Sequence, residues 1–251
     1  MHDKTVFNRV AELYDKMRPD YPDTLYNQIF SYKKITETST ALEIGIGTGQ
    51  ATLPILDTGC TVTAIELGDN LSSFVAEKFR SYPNFSIVNA AFPDISLPDS
   101  SFDLIYSATA FHWIPEETGY TKVFSLLKSG GIFARFANHP TPAKDNPQLY
   151  NHLQKIYLED KTTDPHSPNS AQSPEIISQI PLKYGFTDIN LKIYHRTRTF
   201  TSSEYIDLLH TYSDHNSRPP EFYAKISAAI DSHGGIINIF DTIDLQLACK
   251  P

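Results

Sequence analysis

The feature that most constrains this 251-residue chain is a glycine turn, Glu43-Ile44-Gly45-Ile46-Gly47-Thr48-Gly49. The apolar run Ala41 to Ile44 leads into it as a strand, and residues 50–57 leave it as a helix stopped by Gly59. Glycine is needed where backbone takes positive φ or approaches a ligand closely. Three glycines between a strand and a helix therefore read as a binding turn whose amides face a nucleotide-like ligand. About 20 residues further on, Glu66 ends a second β-rich run, Cys60 to Ile65, where an acidic residue accepts hydrogen bonds from ribose hydroxyls. A solvated loop carboxylate is the plainer alternative.

The rest of the chain repeats the alternation of strand and helix. Phe7, Val10, Ala11 and Tyr14 have helical spacing, the elbow Met17-Arg18-Pro19-Asp20-Tyr21-Pro22 breaks that helix, and a second helix spans Asp23 to Tyr32. Leu71, Phe74, Val75 and Phe79 form one helical face, followed by strands at Phe85 to Val88 and Phe102 to Tyr106, a helix over 115–128 and a strand at Ile132 to Phe136. Such alternation predicts βαβ units and a parallel sheet, with ligands at the edge carrying the strand C-termini. The proline-rich stretch 138–182 reads as an insertion over that edge, with a helix around Gln148 to Leu158 and a loop through the polar run Thr162 to Ser173. Beyond it, Asn190 to Tyr194 and Thr197 to Phe200 look extended, Thr201 and Glu204 form a capping-box pattern, Glu221 to Ser232 is amphipathic and Ile236 to Ala248 reads as a strand or strand pair. One domain over 1–251 is expected, with residues 1–32 as an N-terminal lid.

Composition narrows the partners. Apolar residues at 40% and charged residues at 20% are ordinary for a globular chain, and no apolar run approaches the roughly 20 residues of a membrane span. A net charge of -8 disfavours nucleic acid as partner. The N-terminus lacks a signal-peptide pattern, so a cytoplasmic location is expected. Cys60 and Cys249 read as buried thiols, with no zinc or disulfide framework.

Spacing also discriminates between cofactors. A dinucleotide fingerprint would place its third glycine at position 50, and a phosphate-binding loop would continue Gly-Lys-Ser/Thr; the chain has Gly49-Gln50-Ala51. A nucleoside without phosphate fits better than NAD(P), although an NAD(P)-dependent oxidoreductase stays open as an alternative.

Residues Ala41 to Gly49 resemble motif I of the class I methyltransferases that use S-adenosylmethionine (SAM). Pro98 to Ile105 resembles that family's strand-four motif, and Leu126-Leu127-Lys128-Ser129-Gly130-Gly131 is similar to its Leu-Lys-Pro-Gly-Gly turn, with Ser129 in place of proline. Tyr14-x-x-x-Arg18-Pro19-x-Tyr21-Pro22 and Ala110-Phe111-His112-Trp113 look like a methyltransferase-11-type subgroup that includes trans-aconitate methyltransferases.

The resemblance implies an α/β, Rossmann-like, doubly wound seven-stranded sheet, mostly parallel with an antiparallel last strand and helices on both faces. It also implies SAM as cofactor, S-adenosylhomocysteine as product and no metal. Glu43, Gly45, Gly47 and Gly49 would surround the cofactor's amino-acid end, Glu66 its ribose, and Leu67, Ala91 and Phe92 its adenine. Ser107 and Ala108 would flank the methionine portion, and Tyr14 and Arg18 would close over its carboxylate. Tyr21, Phe111, His112 and Trp113 would build the acceptor pocket. His112 is the candidate base for an acceptor that must lose a proton, with a packing role beside Trp113 as the alternative. Should the acceptor be a carboxylate, Arg135, Arg196 and Arg198 are candidate partners, or else surface charges. A small-molecule acceptor and a monomer or homodimer are expected; a non-catalytic SAM-binding protein is the remaining alternative.

Overall fold

The computed structural model describes residues 4–160, 173–212, 215 and 218–251. The expected loop over 162–172, and the side chains of Phe7 and Val10, lie outside the described residues.

Seven strands form one sheet: β1 (Thr40–Ile44), β2 (Thr61–Glu66), β3 (Phe85–Asn89), β4 (Phe102–Ala108), β5 (Leu127–Pro142), β6 (Thr187–Thr201) and β7 (Ile236–Cys249). Their order is β3-β2-β1-β4-β5-β7-β6. The first five pair in parallel, and β7 runs antiparallel to both β5 and β6. This is the expected Rossmann-like sheet. The order reverses between β1 and β4, which is where an open α/β sheet leaves a crevice for ligand. Leu42, Ile44, Leu104 and Ile105 are almost wholly buried, as parallel strands covered on both faces require.

Helices α2 (Asp23–Tyr32), α3 (Leu53–Leu56) and α4 (Asp69–Lys78) cover one face, where Leu25, Ile29, Ile55 and Val75 pack on Val62, Leu104 and Ile132. On the other face α5 (Glu116–Leu126) and α7 (Pro174–Gln179) enclose Phe111, Tyr120, Phe133 and Phe186. A third core has no place in a minimal sheet-and-helix sandwich. Strands β5, β7 and β6 run on beyond the end of β4, and Ile237 and Ile239 pack there against α6 (Pro147–Glu159), α8 (Ser202–Leu209) and α9 (Pro220–Ser232). Met17, from α1 (Lys4–Met17), joins this core.

Several boundaries differ from expectation, each for a physical reason. The insertion was expected to begin at Asn138, but Asn138 to Pro142 continue β5 and pair with Ile243 to Ile239. Pro140 and Pro142 are tolerated because β4 stops at Ala108, which leaves that side of β5 as a free edge. The two extended pieces after 190 are one strand, β6, because its backbone pairs with β7 without interruption from Asn190 to Thr201. The helix after the glycine turn shrinks to α3, since residues 50–52 complete the turn.

Candidate active site

The glycine turn sits where the sheet order reverses. Gly45, Gly47 and Gly49 all have positive φ. Space adds a second constraint at two of them. A Cβ on Gly45 would lie 2.5 Å from that of Ala110, and one on Gly49 would lie 2.5 Å from the Phe79 ring. The turn therefore presses against the loop after β4 on one side and against α4 on the other.

Two buried carboxylates hold the turn from beneath and beside. Glu43 is 1% exposed, and its Oε2 accepts from the Thr52 hydroxyl at 2.7 Å and the Tyr106 hydroxyl at 2.8 Å. Burial pushes its carboxyl up to about 7, against the pull of those two hydroxyls. Glu66 accepts from the Gly47 amide at 3.0 Å through Oε2 and from the Gly68 amide at 2.9 Å through Oε1. Each of its oxygens keeps a lone pair free for a further donor.

A cavity of about 500 Å³ opens over the turn. One end is walled by Gly45, Ile46, Gly47, Glu66 and Leu67 and by the apolar run Ala90, Ala91, Phe92 and Pro93. The other end is walled by Tyr14, Arg18, Pro19, Tyr21, Ala108, Thr109, Ala110, Trp113 and Asn138. Leu67 and Trp113 stand exposed at 70% and 67%, one at each end of the cavity.

The second end is built by the N-terminal segment closing on the sheet. Lys78 Nζ donates to Asp15 Oδ1 at 2.6 Å and to the Thr48 carbonyl at 2.8 Å, and Gln50 Nε2 reaches Asp15 as well. Arg18 stacks between the rings of Tyr14 and Tyr212 and donates to the Thr211 carbonyl, while its buried Nε has no partner. Tyr21 and Thr109 share a hydrogen bond of 2.6 Å, and the Asn138 amide donates to Thr109 Oγ1. Thr109 adopts φ 54, a rare region for a β-branched residue that clusters at functional sites. Burial raises the Tyr21 phenol far above its ordinary value, so it stays protonated. The Asn138 carboxamide oxygen is buried and unpartnered.

Of the residues expected to meet ligand, Tyr14, Arg18, Tyr21, Gly45, Gly47, Glu66, Leu67, Ala91, Phe92, Ala108 and Trp113 line this cavity. Five others do not. Glu43 lies under the turn, and Gly49 packs on Phe79. Ser107 is wholly buried and donates to the Ile44 carbonyl. Phe111 belongs to the core with Tyr120 and Phe133. His112 is exposed beside Trp113, outside the lining, and burial of part of its ring with the nearby Arg135 and His139 lowers its proton affinity. Arg196 and Arg198 are taken up by Asp241, itself 0% exposed. Sequence reasoning missed Thr109, Asn138, Gln50 and Ala110. Only their position at strand ends or beside the glycine turn could have flagged them.

A Rossmann-like sheet in this order, with a glycine turn and an acidic strand end facing one cavity, defines the class I methyltransferase fold. Comparison with known proteins agrees. A family profile described as a methyltransferase domain matches residues 42–135. An uncharacterized methyltransferase of Schizosaccharomyces pombe is 25% identical over 219 residues, 87% of this chain and 82% of that protein. A Saccharomyces cerevisiae protein named as a probable S-adenosylmethionine-dependent methyltransferase is 35% identical over 143 residues, 55% of this chain but only 48% of its own length. In structure, a Haemonchus contortus phosphoethanolamine N-methyltransferase, solved with phosphomonomethylethanolamine and S-adenosylhomocysteine, superposes with a TM-score of 0.59 at 15% identity, covering 96% of this chain and 57% of that one. A methyltransferase domain thus occupies residues 42–135, and the fold around it is that of the class I SAM-dependent methyltransferases.

Proposed function

We propose that the cavity takes SAM at its glycine-turn end and a small-molecule methyl acceptor at its Tyr21–Thr109–Asn138 end. The observation that carries this reading is a single continuous cavity spanning both ends. The fit to a nucleoside without phosphate rests on Glu66 and on the apolar Ala90 to Pro93 wall; among the described residues no lysine or arginine lines that end. Glu66 would hold the ribose, Leu67, Ala91 and Phe92 the base, and Gly45, Gly47 and Ala108 the amino-acid portion. Arg18, with its free Nε, suits the cofactor's carboxylate.

SAM supplies an electrophilic methyl group, and what remains for the protein is alignment and exclusion of water. The acceptor end offers hydroxyls and a carboxamide, but among the described lining residues neither imidazole nor carboxylate. Tyr21 stays protonated there and serves as a donor. Such an end favours an acceptor that is already a nucleophile, which a carboxylate is; formation of a methyl ester needs no base. His112, outside the lining, then packs beside Trp113 rather than acting as the base. The trans-aconitate resemblance points the same way.

Calorimetric titration with SAM, S-adenosylhomocysteine and NAD tests the cofactor. Micromolar binding of the first two is expected, with at least tenfold loss in Glu66→Gln, which keeps volume but cannot accept from both amides. NAD binding without a response to SAM would overturn the reading. A transfer screen over small carboxylates, phenols and amines tests the acceptor; turnover of phenols or amines alone would remove the carboxylate.

A further inference from the structure

A second cavity lies away from the glycine turn, where β5 ends, α6 begins and α9 turns into β7. It holds about 320 Å³, within the range of roughly 300–1,000 Å³ usual for small-molecule sites. Among the described residues, none lines both cavities. The floor is the outer edge of the third core: Leu149, Leu153 and Ile237, each no more than 3% exposed. A Cβ on Gly234, in the turn after α9, would meet nothing within 4 Å, so the mouth is open there.

One side chain builds the junction. Asn146 precedes α6; its Oδ1 accepts from the Leu149 amide at 3.1 Å, and its Nδ2 donates to the His233 carbonyl at 3.2 Å. That bond caps α6 and ties it to the end of α9. With Pro147 carrying no N–H, most of the positive end of α6 is already satisfied.

The rest of the polar rim is held in the same way. Thr199 donates to Asn238 Oδ1 at 2.6 Å, and Asn238 Nδ2 donates to Asp145 Oδ2. The Asn146 amide donates to Asp145 Oδ1 at 3.0 Å. His233 Nδ1 donates to the Ala229 carbonyl at 2.8 Å. A carbonyl only accepts, so Nδ1 carries the hydrogen and Nε2 of the neutral ring is an acceptor. Both carboxamides are thus spent on neighbours. What stays free is the second lone pair on each oxygen of Asp145 and Nε2 of His233, together with the Tyr150 hydroxyl, which has no partner among the described residues. Asp145 stands exposed at the mouth. It has no ion-pair partner among the described residues, because the ammonium of adjacent Lys144 lies over the Tyr150 ring, 5.4 Å from its centre.

We propose that this cavity is a second small-molecule site and takes a primary amine. The apolar body of the ligand rests on Leu149, Leu153 and Ile237, and its ammonium donates to Asp145 and to Nε2 of His233. An apolar floor under a fixed rim of free acceptors calls for a ligand that brings donors, and the bond to the carboxylate is charge-assisted. The same rim rejects an anion. The inference stands apart from the methyltransferase reading, since the two cavities share no lining residue.

Three probes of one shape test it: benzylamine, benzyl alcohol and benzoate. Each is titrated at about pH 8, where an ordinary imidazole is neutral, with the His233 ring followed by NMR. His233→Phe identifies that resonance among the nine histidines. Saturable shifts with benzylamine are expected, at an affinity at least tenfold above benzyl alcohol, and none with benzoate. Asp145→Asn should weaken benzylamine at least tenfold, read by ligand-observed NMR, and His233→Phe several-fold, with melting temperatures near the parent's showing that both variants fold. Saturating S-adenosylhomocysteine should leave benzylamine bound. Equal affinity for all three probes, affinity unchanged in Asp145→Asn, no saturable binding, or displacement by S-adenosylhomocysteine would overturn the proposal. A protein that binds benzylamine at this site but neither SAM nor S-adenosylhomocysteine would refute the cofactor reading and not this one.

Discussion

Glu43 shows how a motif residue can lie beneath the glycine turn rather than in the cavity. Its side chain is buried under the turn, hydrogen-bonded to Thr52 and Tyr106. Its carboxyl titrates at about 7 in the fold against an ordinary 4.5. A raised carboxyl means that the folded state binds the extra proton. Stability attached to that proton is present below about 4.5 and is lost as pH climbs through about 7, on the order of 3 kcal/mol in all. Glu43→Gln should therefore flatten the fall in melting temperature between pH 5 and 7.5; an unchanged profile would show that Glu43 is already ionised in the fold. Gly45→Ala is a second residue-scale test. Positive φ and the 2.5 Å approach to Ala110 both oppose a methyl group there, so SAM affinity should drop at least tenfold by calorimetry. Asn138→Leu should instead spare SAM binding and raise KM for the acceptor, since its buried carboxamide oxygen lines only the far end.

At the scale of elements, helix α1 is joined to the glycine turn by Asp15, Lys78, Thr48 and Gln50. Gln50, which in the sequence served to exclude a dinucleotide fingerprint, turns out to be part of this latch. The Lys78–Asp15 pair is about one-third exposed, so its worth to global stability is roughly 0–1 kcal/mol. Lys78→Ala should accordingly leave the melting temperature nearly unchanged while speeding SAM release several-fold in stopped-flow experiments. Equal release rates would mean that α1 does not gate the cavity. Helix α8 gives a contrasting case. Its capping box, with Thr201 and Glu204 each satisfying the other's backbone, was legible four residues at a time. Local hydrogen bonding between near neighbours suffices for that. The continuity of β6 was not legible, because it depends on pairing with β7, a strand more than 30 residues further along the chain.

For the whole molecule, Asp241 is the buried tie. Its carboxylate, 0% exposed, holds Arg196 and Arg198 of the neighbouring strand, and Arg196 also donates to the Asp20 carbonyl of the N-terminal elbow. Burial alone would raise its carboxyl, but the hydrogen bonds and charges of the two arginines outweigh that and lower it. The stability it contributes is thus present above the ordinary carboxylate range and lost as pH falls through the depressed value. Asp241→Ala strands two guanidinia and should cost about 3–5 kcal/mol in chemical denaturation; a loss below ~1 kcal/mol would mean that the arginines find other partners. The sequence by itself determined the sheet, the turn at its crevice and the acid that follows, because these rest on residues close in the chain and on strict alternation of strand and helix. It also named most of the residues that line one end of the cavity, since those follow directly from strand termini. Only the tertiary structure decided which polar residues were free to act. Arg196 and Arg198 were neutralised from another strand, Glu43 and Ser107 were turned inward, and Thr109 and Asn138 were brought to the cavity wall. Pairing and burial are relations between distant segments, and no local pattern encodes them.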